Sequence, residues 1–170
     1  MPLRLLASLL TASVILAPGA AAADPPAGQP GVWTAPLVGS LRVTRPFEPP
    51  PSEYGPGHRG VDLGGSPGRP GVAAGAGIVL FAGMVAGRPV VSIVHTNGLR
   101  TTYEPVLASV GAGQAVARGS PIGRLAPGHA ACPVTACLHW GLRRGEAYLD
   151  PMRLLHPPRI RLLPRPEGDR

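Results

Sequence analysis

The sequence predicts an all-β fold, and three observations support this. Gly and Pro contribute 24 and 23 of the 170 residues, and because both are poor helix formers, long helices are excluded. At the same time, 44% of the residues are hydrophobic and only 15% are charged, whereas disordered chains are poor in apolar residues and rich in charge. Short apolar runs between Gly/Pro clusters are typical of many short strands joined by turns.

The N-terminus has the features of a secretory signal peptide over residues 1–23. Arg4 precedes an apolar run from Leu5 to Ala17, and Ala21 to Ala23 offer a small-residue cleavage site. An uncleaved anchor is the alternative, because one basic residue is a minimal start for a signal. In either case we expect the rest of the chain to be secreted or extracytoplasmic, in the cell envelope. Residues 24–32, rich in Pro, Gly and Ala, are interpreted as a linker.

Residues 33–155 divide into short strand candidates separated by turn signals, which is typical of a sandwich or barrel. Asn97-Gly98 favours a type I′ hairpin turn, because both residues tolerate positive φ. Asp150-Pro151 can start one short helical turn over Met152–Leu155. We expect an antiparallel barrel–sandwich hybrid with long loops, at most one short helical turn, and a Pro/Arg-rich tail over residues 156–170. The strand candidates are Ser40–Arg45, Gly60–Leu63, Gly77–Ala86, Pro89–His95, Leu99–Glu104, Ala115–Arg118, Pro121–Ala126 and Ala136–Arg143.

The basic residues of the chain are all Arg, and the net charge is +7. So basic a chain could bind nucleic acid, but the arginines are scattered and have no interleaved aromatic platform. We therefore expect no nucleic-acid partner, and attraction to an anionic cell envelope instead. Beyond the N-terminus no apolar run approaches the roughly 18 residues of a membrane span, so we expect none after signal cleavage.

The two cysteines, Cys132 and Cys137, lie close together in the sequence. In an exported chain, a close pair predicts a disulfide. A zinc site built on these two thiolates is the less favoured alternative, because such sites normally use more cysteines and occur in reducing compartments.

His58, Asp62 and His139 are candidate metal ligands. Side chains alternate along an extended segment, so residues 58 and 62 share a face, as do Cys137 and His139. Two histidines and one aspartate suit a catalytic zinc ion that keeps one position open for water. Each of these residues taken alone is more often a hydrogen-bonded structural side chain.

Five stretches of the chain follow one another in the order and spacing of a known family: Gly57–Leu63, Val79–Gly83, Gly98–Tyr103, Gly113–Gly123 and Leu138–Gly141. Through them, residues 33–155 resemble the M23 family, the LytM/lysostaphin-type zinc metallopeptidases that cut peptidoglycan cross-bridges. The resemblance implies an antiparallel β core with an open groove. It also implies one zinc ion held by His58, Asp62 and His139, and peptidoglycan as the partner.

Two positions depart from the family pattern. Active members carry two further histidines that orient or deprotonate the zinc-bound water and stabilise the oxyanion. One lies two residues after the tyrosine matching Tyr103, where this chain has Pro105, and the other lies two residues before the last ligand, where it has Cys137. General acid–base help is worth roughly 10²–10⁴-fold in rate. Loss of both groups predicts a bound zinc with slow or absent hydrolysis.

His129 is the best candidate for a replacement base, because a disulfide could fold its loop over the metal. Glu104 is a weaker candidate, since it alternates with Tyr103 along the strand and should face outward. Tyr103 is expected in the wall of the substrate groove, and Arg59 is expected to meet an anionic substrate there. His95, at the end of a strand, is interpreted as structural.

Three hypotheses follow. The first is a secreted zinc metallopeptidase that acts on peptidoglycan peptide cross-links, with protons handled by His129 or by solvent alone. The second is a catalytically degenerate M23 domain that binds peptidoglycan or regulates a partner cell-wall hydrolase. The third is a structural or regulatory envelope protein with zinc as a staple. Retention of the ligand set favours the first hypothesis, and the substitutions at Pro105 and Cys137 favour the second.

Overall fold

The computed structural model describes residues 33–52, 54–129 and 131–156. The predicted signal peptide (1–23), the linker (24–32) and residues 157–170 of the predicted tail lie outside the described residues. In the part of the chain that is described, no helix has the length and apolar character needed to cross a membrane.

The described residues form eleven strands and one short helix, so the all-β prediction is confirmed. All eight predicted strands are present, and Leu99–Glu104 has the predicted ends. The elements are β1 Val43–Arg45, β2 Gly60–Gly65, β3 Pro70–Val72, β4 Gly77–Val85, β5 Arg88–Val94, β6 Leu99–Glu104, β7 Val106–Ala108, β8 Ala115–Val116, β9 Pro121–Leu125, β10 Ala136–Arg144, β11 Ala147–Leu149 and α1 Met152–Leu155.

The strands are arranged in two antiparallel sheets. The large sheet has the order β1-β2-β10-β6-β5-β4-β8, with β11 paired to β10, and the small sheet has the order β3-β9-β7. The large sheet is open, with β1 and β8 at its two ends. The predicted barrel–sandwich hybrid is therefore two open sheets around a shared core, without a closed barrel.

Three strands were missed in the sequence: β3, β7 and β11. Each has only three residues and belongs to no longer apolar run that shows a two-residue period. β1 and β8, which are equally short or shorter, were predicted because the runs Ser40–Arg45 and Ala115–Arg118 extend beyond them. Two of the missed strands, β3 and β7, are the outer strands of the small sheet, which therefore could not be predicted as a unit.

Alternation along the central strands separates the core from a polar outer face. On β10, Leu138 and Trp140 are fully buried, while His139 between them points to the opposite face. On β2, Asp62 lies between two core residues in the same way. The inner face of the large sheet packs against the small sheet, and the outer face is left for polar side chains. Core residues contributed by the other strands include Val79, Val91, Ile93, Val106, Ile122 and Leu125.

Two local motifs form turns close to those predicted. Gly98 has a positive φ of 74°, and its N–H donates to the carbonyl of His95 (3.0 Å), closing the hairpin between β5 and β6. Asn97 does not have positive φ, so the turn is not the predicted type I′ but a longer loop with glycine at its left-handed position. The carboxylate of Asp150 accepts the N–H of Met152 (2.9 Å), as predicted, but the N-cap position of the helix is Pro151 and not Asp150.

A buried polar network joins β5 and β6 to the loop after β3. The N–H of Ala74 donates to the Tyr103 hydroxyl (2.9 Å), which lies 3.0 Å from the Thr101 hydroxyl. Thr101 in turn lies 2.8 Å from His95 Nε2, and His95 Nδ1 donates to the carbonyl of Ala76 (2.8 Å). Tyr103 is fully buried, so its predicted place in the groove wall is wrong. The reason is that alternation along β6 points Tyr103 into the core.

The Tyr103 hydroxyl is expected to contribute to stability. Tyr103→Phe leaves the buried N–H of Ala74 without its acceptor, which costs about 1–3 kcal/mol of unfolding free energy. Urea unfolding measures this loss. The matched control is Tyr54→Phe, which changes a side chain that is 89% exposed and should leave stability unchanged. Equal stability of Tyr103→Phe and the wild type would contradict the role of the network.

His95 gives the protein a pH dependence of known sign. Burial lowers the pKa of His95 from its ordinary value of 6.5, and this outweighs the hydrogen bond to Ala76. Below pH 6.5 the unfolded state therefore binds more protons at this position than the folded state, and stability falls as the pH is lowered. The stability advantage of the wild type over His95→Gln should shrink between about pH 7 and about pH 5.5. Unfolding curves of the two proteins at each pH test this, and parallel pH profiles would be the contrary result.

Candidate metal centre

The three predicted metal ligands converge on the outer face of the large sheet. His58 Nε2 lies 3.0 Å from Asp62 Oδ1 and 3.1 Å from His139 Nδ1, and the Asp62 and His139 atoms are 2.9 Å apart. Ligand atoms about 2.0–2.2 Å from a tetrahedral zinc ion are about 3.4 Å from one another. The observed triangle is slightly smaller than that, and its donors are those of a two-His, one-carboxylate zinc site. The residues therefore fit a zinc ion.

Neighbouring strands place these side chains. Asp62 on β2 pairs directly with His139 on β10. His58 precedes β2, and its backbone is held by two hydrogen bonds with Glu48. A Cβ atom at Gly60 would lie 2.7 Å from His139 Nε2, so glycine is required there for the imidazole to lie across β2.

A backbone carbonyl orients His58. Its Nδ1 lies 2.6 Å from the carbonyl oxygen of Pro46, and because a carbonyl can only accept, Nδ1 carries the proton. The lone pair of Nε2 then points at Asp62 and His139. This tautomer is the one that a metal-binding histidine needs, and the second hydrogen bond is typical of such ligands.

Asp62 stays ionised although it is buried. Burial by itself raises the pKa of a carboxyl group, but the hydrogen bonds with His129 and His139 and the charge of nearby imidazoles outweigh it and hold the pKa of Asp62 below its usual range. A carboxylate that accepts several hydrogen bonds is stabilised in its charged form. Asp62 is therefore ready to act as an anionic ligand.

His129 reaches the same cluster from the loop between β9 and β10. Its Nε2 lies 3.1 Å from Asp62 Oδ1, and its ring stacks on that of His139 with the ring centres 5.8 Å apart. The hydrogen bond to Asp62 raises the pKa of His129. The loop thus brings His129 to the place where a replacement base was predicted, while its catalytic role stays a prediction.

The predicted disulfide between Cys132 and Cys137 is present, with the two Cα atoms 5.7 Å apart. The N–H of Cys132 donates to the carbonyl of His129 (3.1 Å). Cys137 is fully buried on β10, two residues before His139. The disulfide therefore connects the loop of His129 directly to the strand that carries a metal ligand.

Glu104 also lies on the site's side of the sheet, so the prediction that it faces away from the groove is wrong. It pairs with His139 across β6 and β10, its side chain is only 17% exposed, and it forms an ion pair with Arg88. The sequence correctly placed Tyr103 and Glu104 on opposite faces of β6, but it put Tyr103 instead of Glu104 on the face of the groove. Because Tyr103 points into the core, the next residue must point to the outer face.

A cleft of about 420 Å³ begins at His139 and continues along β6 and β10. Thr102 and Gly141 line it beside Glu104. Arg59 also lines it, with its guanidinium 5.5 Å from the ring centre of Tyr148. Contact between Arg59 and a substrate stays a prediction. The other arginines of the cleft are Arg88, Arg100 and Arg143.

Comparison with known families identifies the domain. The sequence profile of peptidase family M23 matches residues 56–151, more than half of the chain and a range that includes His58, Asp62 and His139. The chain belongs to peptidase family M23. The zinc-dependent chemistry of that family agrees with the donor set described above, and the match covers both the ligand cluster and the cleft.

Relatives of this M23 chain include an uncharacterized protein of Mycobacterium tuberculosis, 52% identical over 133 residues, 76% of this chain and 53% of that protein. The chain spans about half the length of the curated relatives it matches. Helicobacter pylori Csd3 superposes with a TM-score of 0.57 and 27% identity over 71% of this chain and 34% of Csd3. A chain of the SpoIIIAH–SpoIIQ complex superposes with a TM-score of 0.60 over 71% of this chain and 98% of that one; at 20% identity this shows a shared fold alone.

The two departures from the M23 pattern can now be located. Pro105 is buried directly after β6, and its carbonyl accepts the N–H of Ala126 (3.0 Å). Cys137 has its sulfur in the disulfide. Neither side chain can accept or donate a proton.

The disulfide gives a direct test. In unfolded, unreduced protein, titration with a thiol reagent should detect no free thiol, because both cysteines are joined. The same protein titrated after reduction is the control and should show both thiols. Detection of two free thiols before reduction would disprove the link.

Proposed function

We propose that this M23 domain is a secreted zinc metallopeptidase-like protein that acts on the peptide cross-links of peptidoglycan in the cell envelope. The observation that carries the proposal is the convergence of His58, Asp62 and His139 at the end of an open cleft. Membership of the M23 family supports the reaction class. The signal-like features of residues 1–23 support an extracytoplasmic location.

The three ligands would each have a separate role. His58 would bind through Nε2, since the Pro46 carbonyl holds its other nitrogen protonated. Asp62 would supply negative charge, and His139 would bind through Nδ1. A zinc ion held here would lower the pKa of a bound water and polarise the carbonyl of a peptide bond.

In this proposal His129 moves a proton at the metal centre. Its Nε2 lies 3.1 Å from Asp62 Oδ1, and this hydrogen bond raises the pKa of His129, which favours the protonated imidazole. A protonated imidazole can donate to a developing oxyanion or to the leaving amine. The backbone bond from Cys132 and the disulfide hold this ring over the site.

Glu104 supplies a carboxylate that can accept a proton. Directly opposed residues in an antiparallel pair have Cβ atoms about 4.5–5.5 Å apart, and Glu104 stands opposite His139. The ion pair with Arg88 orients this carboxylate. His129 and Glu104 together would replace part of the chemistry lost at Pro105 and Cys137.

The alternative is a catalytically degenerate domain that binds peptidoglycan or regulates a partner cell-wall hydrolase. The substitutions at Pro105 and Cys137 favour it, because general acid–base groups contribute about 10²–10⁴-fold in rate. The fold shared with a chain of the SpoIIIAH–SpoIIQ complex, a protein–protein assembly, is compatible with a binding role.

Zinc content and peptidoglycan hydrolysis, measured together, separate these functions. The oxidised wild type and the control variant His156→Ala, which changes an exposed histidine, should each bind one zinc ion. His139→Ala should lose it. Release of new amino groups from peptidoglycan by the two zinc-bound proteins supports the peptidase, and retained zinc without release supports the binding alternative. A wild type without zinc would contradict both.

The role of His129 requires a separate variant. His129→Ala should keep its zinc but lower the rate of hydrolysis by about 10²–10⁴-fold, the usual contribution of a general acid or base. His156→Ala again serves as the control. Full activity of His129→Ala would rule out His129 as the proton-transfer group.

A further inference from the structure

The cleft beside His139 carries more positive charge than its own carboxylates neutralise. Arg88 is paired with Glu104. Arg143 donates from Nε to the carbonyl of Gly145 (2.6 Å) and is paired through Nη2 with Glu146. The Glu146 side chain is 89% exposed, so this ion pair contributes little. Arg100 has no ion-pair partner within the described residues. The cleft therefore has the electrostatic character of an anion-binding site.

Arg100 is the residue that most clearly lacks a partner. In the part of the chain that the structure describes, its Nε atom is buried without a hydrogen-bond acceptor. An unsatisfied buried donor is costly, and more so when it is charged. A guanidinium keeps its charge at any physiological pH, so Arg100 remains a cation in the wall of the cleft. An anionic ligand that contacts this guanidinium would offset its charge.

The register of β6 and β10 sets the distance between this charge and the metal centre. Glu104 pairs with His139, and Arg100 pairs with Arg143 four residues further along. At about 3.3 Å per residue, the Glu104–His139 pair and the Arg100–Arg143 pair are about 13 Å apart along the strands. Between these two pairs, Thr102 on β6 lies opposite Gly141 on β10. Gly141 has no side chain to block an extended peptide that lies along the cleft.

Tyr148 supports the second arginine of the row. The guanidinium of Arg143 lies 5.5 Å from the ring centre of Tyr148, at the distance of a cation–π contact. This contact helps to orient the planar guanidinium beside Arg100. Two oriented guanidinium groups can bind a carboxylate through paired N–H···O bonds, which a lysine could not reproduce.

We propose that Arg100 and Arg143 form a carboxylate-binding subsite for a peptide held in the cleft. The ligand is a peptide with a free carboxylate about four residues from the bond placed at the metal centre. The position of the peptide relative to the metal centre rests on the proposed function. The carboxylate site itself does not require zinc. The carboxylate is either the C-terminus of the peptide or an acidic side chain, and the test distinguishes the two.

The test uses three N-acetylated alanine pentapeptides: one with a free C-terminus, one with a C-terminal amide, and one amidated with glutamate as its last residue. Chemical-shift titration of the ¹⁵N-labelled protein gives each affinity and shows that every variant is folded. The wild type should bind the free carboxylate roughly tenfold or more tightly than the neutral amide. Arg100→Gln should abolish this preference, and Arg100→Lys should restore only part of it.

Arg118→Gln is the matched control, because it removes the same charge from an exposed position outside the cleft and should keep the preference. Arg143→Gln is the second variant if Arg100→Gln does not fold. Tighter binding of the glutamate peptide than of the free C-terminus would also support the subsite and assign it to an acidic side chain. Equal binding of all three peptides by the wild type, or an unchanged preference in both arginine variants, would overturn it.

Zinc content measured on the same samples separates this inference from the proposed function. Bound zinc with no preference for a carboxylate overturns the subsite and leaves the proposed function standing. A carboxylate preference lost in Arg100→Gln, in a protein that holds no zinc, supports the subsite and contradicts the proposed metal centre.

Discussion

The pairing of β2 with β10 is the constraint on which the rest of the structure depends. In this register Leu63 faces Leu138 and Asp62 faces His139, so apolar residues meet on one face and metal-binding residues on the other. A slip of one residue would turn the apolar side chains to solvent and bury the ligands in the core. The hydrophobic effect and the metal-binding geometry therefore select the same register. The strands are far apart in the sequence, so the site exists only once the sheet has formed.

The loop between β9 and β10 shows how the chain differs from the usual M23 pattern. Cys137 stands where a histidine is expected, but its disulfide to Cys132 draws the loop back over the sheet. That loop carries His129, whose Nε2 reaches Asp62. Cys137 thus replaces one expected imidazole, and its disulfide holds the loop that brings the imidazole of His129 close to Asp62. An oxidising compartment favours such a bond, in agreement with the signal-like N-terminus.

Charge is distributed unevenly along the outer face. Near β2 the candidate metal ligands His58, Asp62 and His139 lie together, and His129 lies 3.1 Å from Asp62. About four residues further along β6 and β10, Arg100 and Arg143 lie opposite each other, at the carboxylate subsite that we propose. A peptide with a backbone carbonyl at one end and a carboxylate at the other would match both. The arginines that looked scattered in the sequence include four that line one cleft.

The sequence by itself determined the fold class, most strands, the short helix and the cysteine pair, because these leave local patterns in composition, alternation and spacing. It also predicted His58, Asp62 and His139 as metal ligands, through their spacing and the resemblance to the M23 family, and that role stays a prediction. Only the tertiary structure decided which face of each strand points into the core. Tyr103 and Glu104 alternate as predicted, but the core lies on the side of Tyr103, so Glu104 joins the cleft. The outer strands of the small sheet and the pair Arg100–Arg143 were also not predicted. β3 and β7 belong to no longer apolar run that shows a period, and cross-strand neighbours are distant in sequence. Alternation is a local property of the backbone, whereas the direction of the core is fixed by pairing between distant strands.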